Sequence, residues 1–398
     1  MTPDELLAGP RGRRLCLELA RATVSALPEG HADAVRWRDG VFWAGVLLSP
    51  PSDAPRVVLY APTSPGEDAS APPPEPSRDG VVSDALDAIA RVPLPELTAA
   101  MLLEAVTEAV DAAMYWQAPN GDDVLAAMPD ARAGLRRFAA LVTDSPHSEW
   151  WSRGVLDTPQ FAVVWDPLEP APAPAAPAAE PTELPLEDLS SYYAGFMLTA
   201  WRAERRAVEA RSVAELQDDP EGSSGEWWSF PPAGALDTTA SIPGFGPAGL
   251  YLKEDSHGWE AAAVVPIEPH PASRVFRITG TEDWAALCAA YPLDVSAQMR
   301  YVWGETTGRI GAWVMPDWAR VGERWDAVHL GVDGYLSSAG RAIDCGNGRG
   351  SVIAGWGPGA TYWLSDVVRP GDGAERWARS EPETHVNVHA WACVVTTW

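Results

Sequence analysis

Three stretches of this chain carry residue types that perform nucleophilic or metal chemistry. Asp255-Ser256-His257 and the pair Asp326 and His329 supply carboxylate, hydroxyl and imidazole, the parts of an acyl-transfer site. A triad is a spatial arrangement, however, and neighbours on a chain do not make one. No Gly-x-Ser-x-Gly elbow accompanies them. His385 and His389 have a spacing that suits a metal on a helix, but Val386, Val388, Val394 and Val395 favour a strand. On a strand the two rings lie roughly 13 Å apart, at about 3.3 Å per residue, too far for one ion. Gly346-Asn347-Gly348-Arg349-Gly350 is Gly-rich but lacks the Lys-Ser/Thr that a phosphate loop requires, so it reads as a turn. No metal site is expected.

A longer signal is an ordered series of small blocks. It runs from Trp227-Trp228-Ser229 through Gly246-Pro247, Glu254-Asp255-Ser256 and Gly258-Trp259 to Arg274–Ile278. It continues with Asp283-Trp284, Pro316-Asp317-Trp318, Trp325–Leu330, Gly355-Trp356 and Thr361–Leu364. The succession over residues 226–366 resembles a set of phage and bacterial proteins and is similar to ADP-ribosyltransferase-like folds. That resemblance implies a cleft that grips NAD. Ser229 and Thr361 would line it, and Trp228, Trp259 or Trp363 would stack on the nicotinamide. A carboxylate would stabilise positive charge developing on the ribose. The position before Thr361, where the family carries an acid, holds Ala360, and Asp366 and Glu305 are the nearest substitutes. The blocks Gly9–Cys16 and Tyr115–Pro119 resemble a second group, of uncharacterised actinobacterial proteins, which implies no activity.

The 398 residues carry a net charge of −26 and include 20 Trp. So negative a chain disfavours nucleic acid and anionic membrane, which both require a cationic face. Arg11, Arg13 and Arg14 form one small basic patch against that background. Trp is favoured at interface hot spots. The four Cys (16, 288, 345 and 393) have no ligand spacing and fit a reducing compartment. The N-terminus has no basic and apolar leader, and no run is long and apolar enough to span a bilayer. A cytoplasmic location is expected.

The elements that must position these residues suggest an α+β chain in two parts. Residues 1–165 read as a mainly helical domain, with helices near 13–26, 82–91, 95–115 and 131–143. Short strands are expected at 34–37, 41–48, 56–60 and 160–165. Residues 166–185, rich in Pro and Ala, read as a linker. Residues 186–398 open with a helix to about 217. They continue as short strands near 226–230, 248–253, 259–266, 273–279, 310–315, 326–331, 351–354, 360–368 and 385–397. Helices are expected at 281–291 and 316–323. The excess Trp, the acidity and the missing carboxylate favour a non-catalytic interaction protein with a protein partner and no cofactor. The alternative is an NAD-dependent ADP-ribosyltransferase-like or NAD glycohydrolase-like domain. Its catalytic residues would be Ser229, Thr361 and Asp366, and Trp228, Trp259 and Trp363 would hold NAD.

Overall fold

The computed structural model describes residues 1–28, 30–50, 77–166, 194–218, 226–254, 258–379 and 391–395. The class is α+β, with helices first and strands later. The helical part comprises α1 (Pro3–Ala8), α2 (Pro10–Ser25), α3 (Ala32–Trp37), α4 (Trp43–Leu48), α5 (Arg78–Arg91), α6 (Ala99–Asp111), α7 (Gly121–Ala127) and α8 (Pro129–Thr143). Gly9-Pro10 ends α1 and starts α2, as a proline in the first helical turn does without losing a bond. Helix α2 is buried nearly all round, through Leu15, Cys16, Leu17, Leu19 and Ala20, and packs on α6, α7 and α8. Thr98 caps α6 by accepting from the Met101 amide, and Leu102, Val106, Ala109 and Val110 form its buried face.

The strands expected at 34–37 and 41–48 are helical instead: α3 and α4, joined by a π-turn over Arg38–Phe42. Trp37, Val41, Ala44 and Leu48 are all buried, and their spacing places them on one helical face, against α5. Apolar runs this short fit either period, and packing decided for the helix. The strand expected at 56–60 lies outside the described residues.

The strand-rich part begins with β1 (Gln160–Trp165) and α9 (Ala194–Asp218). It continues through β2 (Asp237–Ile242), β3 (Gly246–Pro247), β4 (Ala261–Pro269), β5 (Val275–Ile278), α10 (Thr281–Ala290), β6 (Pro292–Asp294), α11 (Ser296–Thr307) and β7 (Ala312–Pro316). Then come α12 (Trp318–Gly322), β8 (Ala327–Leu330), α13 (Val332–Ser338), β9 (Ile343–Asp344), β10 (Arg349–Ser351), β11 (Ala360–Trp363), β12 (Val368–Pro370), β13 (Glu375–Arg379) and β14 (Trp391–Val395). The large sheet has the order β14-β13-β4-β1-β2-β11-β8-β5, with β12 added on β4 and β3 on β2. All its pairs are antiparallel except β5 with β8. A smaller sheet has the order β6-β7-β10-β9.

Strand β1 lies between β2 and β4, with Gln160 opposite both Ala240 and Ile267. The end of the expected 1–165 unit is therefore an interior strand of the later sheet. One apolar core extends from Leu6 to Leu364 across both parts. Of the linker, only Asp166 is among the described residues, and its carboxylate pairs with Arg376.

Two further expectations differ. Residues 226–230 run without strand pairing, and 248–250 form a single 3-10 turn. Pro231-Pro232 and Gly249 break both runs. Helices α7, α11 and α13 were not expected. Tyr301, Val302, Trp303 and Thr306 are poor helix formers, and burial of Val302, Trp303 and Thr306 stabilises α11 in place of propensity.

No Trp among the described residues is exposed. Trp284, Trp318 and Trp356 form a core triangle with ring centroids 5.9–6.2 Å apart, and Tyr362 packs edge-on against Trp356 at 5.1 Å. The tryptophan excess thus builds the interior. No helix among the described residues is long and apolar enough to cross a membrane.

Candidate functional site

The residues singled out by the ADP-ribosyltransferase resemblance are mostly bonded within the core. Ser229 is fully buried. Its backbone amide donates to the Ala354 carbonyl at 2.9 Å, and its hydroxyl accepts from the Ala354 amide at 3.0 Å. That two-way clamp ties the 226–230 segment to the segment after β10. Trp363, also buried, donates its indole N–H to Thr238 Oγ1 at 2.9 Å. Trp228 meets Trp227 edge-on at 6.0 Å, whereas Trp259 stacks on Trp165 at 4.8 Å. Asp366 is exposed in the turn after β11, and Glu305 is exposed on α11. No hydrogen bond among the described residues joins Ser229, Thr361 and Asp366.

Strands β8 and β11 do bring two residues of the resemblance together. Thr361 stands opposite His329, and its Oγ1 lies 2.9 Å from His329 Nδ1. Burial, with the nearby Arg277 charge, lowers the His329 pKa to about 3, so the ring is neutral. The cavity beside it, between His329, Gln160, Ser241 and Trp151, has a volume of about 20 Å³. That is room for a water molecule and not for a nicotinamide ring. Asp326 does not serve this histidine. Its carboxylate takes three hydrogen bonds from Arg274, at 2.8–3.0 Å, and one from Ser365, which lower its pKa to about 2. Asp255-Ser256-His257, His385 and His389 lie outside the described residues.

Two clefts have the volume of a small-molecule site, which is roughly 300–1,000 Å³. The first, about 350 Å³, lies beside α4, and its charged groups, Arg21 and Asp122, neutralise each other at 2.7 Å. The second, about 330 Å³, opens where the helical part meets the strand-rich part. Arg11 and Arg13 enter it from the first turn of α2, Tyr115 from the turn after α6, and Asp123 from α7. Thr306 closes it at the end of α11, and Arg341 comes from the segment after α13. Met114 and Val124 add apolar wall.

The charges of this second cleft do not balance. Arg11 is paired with Asp123 and donates to the Ala109 carbonyl at 2.9 Å. Arg13 makes no ion pair among the described residues. It donates to the Leu7 and Ala8 carbonyls at 3.0 and 2.9 Å, where the last turn of α1 exposes them. Arg341 is half-buried and makes no ion pair among the described residues. The Nε–H groups of Arg11 and Arg13 are buried without an acceptor among the described residues. Burial and the like charges of Arg132, Arg11 and Arg341, opposed only by Asp123, lower the Arg13 pKa to about 10. The N-cap of α2 is Gly9, which offers no side-chain acceptor to that positive helix end.

Behind the cleft lies a buried carboxyl. Glu254 sits among the hydroxyls of Tyr115 and Tyr335, which are 3.4 Å apart, and near the Gly355 amide and Arg11. Burial raises its pKa to about 8, against the lowering effect of the nearby Tyr335 and Tyr115 hydroxyls, the Gly355 amide and the Arg11 charge. Glu254 is therefore protonated at neutral pH and adds no negative charge to the cleft. The Tyr115 ring is held by Gly340, which has φ +75° and would place a Cβ only 2.4 Å from the ring.

Comparisons with models of known families, with curated proteins and with solved structures find no match to this chain. The site must be read from its own geometry. Two blocks that were separate in the sequence, Gly9–Cys16 and Tyr115–Pro119, meet at this cleft. The clustered arginines of the first were legible. Arg341, Glu254 and Gly340 carried no sequence signal, because only tertiary packing places them here.

Proposed function

We propose that this chain is a non-catalytic binding protein that holds a small anion in the cleft between Arg13 and Arg341. The observation that carries this reading is the uncompensated positive charge of the cleft in a chain of net charge −26. Like-charged, partly desolvated guanidiniums are costly unless an anion completes their hydrogen bonds. The cleft is of metabolite size, and the negative exterior repels acidic macromolecules at long range. A small phosphate- or carboxylate-bearing molecule fits both conditions. The apolar wall of Met114 and Val124 would take its uncharged portion. The non-catalytic reading is supported by the engagement of the Ser229 and Thr361 hydroxyls and by the pairing of Asp123 with Arg11.

The test is thermal unfolding of the full chain in phosphate, pyrophosphate or citrate, against chloride at equal ionic strength. A ligand at 100 times its dissociation constant stabilises the folded state by about 2.7 kcal/mol. A shift of several degrees with one of these anions, absent in chloride, supports the reading. Equal melting temperatures in all four salts refute it.

A further inference from the structure

The four cysteines are spread over the sequence, yet two of them meet in the fold. Cys288 projects from α10, and Cys345 follows β9 at the start of the tight turn to β10. The Cys288 thiol lies 3.6 Å from Ser351 Oγ, and the Cys345 thiol lies 3.6 Å from the Ile343 carbonyl. Ile343 and Ser351 are register partners across β9 and β10, so both thiols converge on one pair of residues. The two thiols are near enough to perturb each other's ionisation. All four cysteines are thiols in this structure.

The two thiols differ. Cys288 is fully enclosed, and burial pushes its pKa up. Cys345 is 5% exposed, and the adjacent Cys288 thiol, with Arg349 and Arg309 nearby, pulls its pKa down against the effect of burial. Arg309 is fixed there by donating to the Gly348 and Ala312 carbonyls at 2.7 and 2.9 Å. A thiol of lowered pKa beside a second thiol is the arrangement of an oxidisable pair.

The geometry points to Cys288 and Cys345 as a disulfide-forming site, oxidised by hydrogen peroxide or a related small peroxide. The Cys345 thiolate attacks one peroxide oxygen, the O–O bond breaks, and hydroxide leaves, giving a sulfenic acid. The Cys288 sulfur then attacks the Cys345 sulfur, and the S–O bond breaks. The departing hydroxide takes the Cys288 proton and leaves as water. Two thiols lose two electrons and two protons, and the peroxide is reduced to two waters. The bond would fasten the 345–349 turn to α10 without changing the sheet.

The experiment uses the full chain, reduced and desalted, treated with hydrogen peroxide, then denatured and alkylated with iodoacetamide. Before treatment four cysteines are alkylated; after it two are, and a peptide pair joining Cys288 to Cys345 appears and is lost on reduction. In Cys288→Ala, peroxide should leave Cys345 as a sulfenic acid trapped by dimedone, with no cross-link. Retention of four alkylatable thiols overturns the proposal, as does a cross-link through Cys16 or Cys393. The wild-type readout does not depend on the variant folding.

Discussion

Arg11, in the first turn of α2, is 3% exposed and paired with Asp123 on α7, whose side chain is 9% exposed. This pair engages Asp123, the carboxylate lining the cleft among the described residues, and leaves Arg13 and Arg341 to face any ligand. The two kinds of arginine should therefore respond differently to mutation. Arg11→Ala leaves the buried Asp123 with only its longer 3.7 Å contact to Arg14 and should cost up to about 3–5 kcal/mol of stability, seen as a fall in the urea midpoint. Arg341→Ala should leave that midpoint nearly unchanged. Loss of its charge-assisted hydrogen bond, about 1.5–3 kcal/mol, should weaken anion affinity by roughly ten- to a hundredfold.

Glu254 sets the pH dependence of stability. Its pKa is raised from 4.5 to about 8 in the fold. The folded state therefore binds a proton that the unfolded state releases, and its contribution, full below pH 4.5, is lost as pH rises toward 8. His329 acts in the opposite direction. Its pKa falls from 6.5 to about 3, so its contribution is lost as pH falls below 6.5. Between pH 6.5 and 8 the Glu254 effect is the cleaner one. Stability should drop there by about 2 kcal/mol, at up to about 1.36 kcal/mol per pH unit. Glu254→Gln should flatten that slope in urea titrations run across the window.

Ser229 and Thr361 should behave as structural residues. Ser229→Ala leaves the Ala354 amide unpaired in the core, and Thr361→Val does the same to His329 Nδ1. Each should cost about 1–3 kcal/mol in chemical denaturation. Neither should change the anion-induced rise in melting temperature when measured as a difference from its own anion-free state.

Gly340 holds the Tyr115 wall in place. An alanine there meets both a left-handed backbone, φ +75°, and the Tyr115 ring at 2.4 Å. Gly340→Ala should destabilise the chain by at least about 1–3 kcal/mol, the cost of such a backbone position for a side chain. It should also lower anion affinity, because Tyr115 lines the cleft.

The sequence was most legible where a pattern repeats along the chain. The spacing of Leu102, Val106 and Ala109 marked α6, and the apolar run at 259–266 marked β4. Segments 34–37 and 41–48 failed because a short apolar run fits both periods, and α5 decided between them. Helix α11 failed because burial outweighs the low helix propensity of its Val, Trp and Thr. The Trp excess pointed toward a surface; some of these side chains are buried in the core and the other described ones are partly buried. The cleft was half legible. Arg11 and Arg13 lie two residues apart, whereas Arg341 and Tyr115 reach them only through the packing of α13, α2 and the turn after α6.

The most direct test is calorimetric titration of the full chain with inorganic pyrophosphate, alongside the double variant Arg13→Ala/Arg341→Ala. The account predicts saturable binding near one per chain to the wild type, weakened by added salt, and at least tenfold weaker in a double variant that still unfolds cooperatively. Equal binding by both proteins, or no heat of binding with pyrophosphate, phosphate or citrate, would contradict an anion site in this cleft.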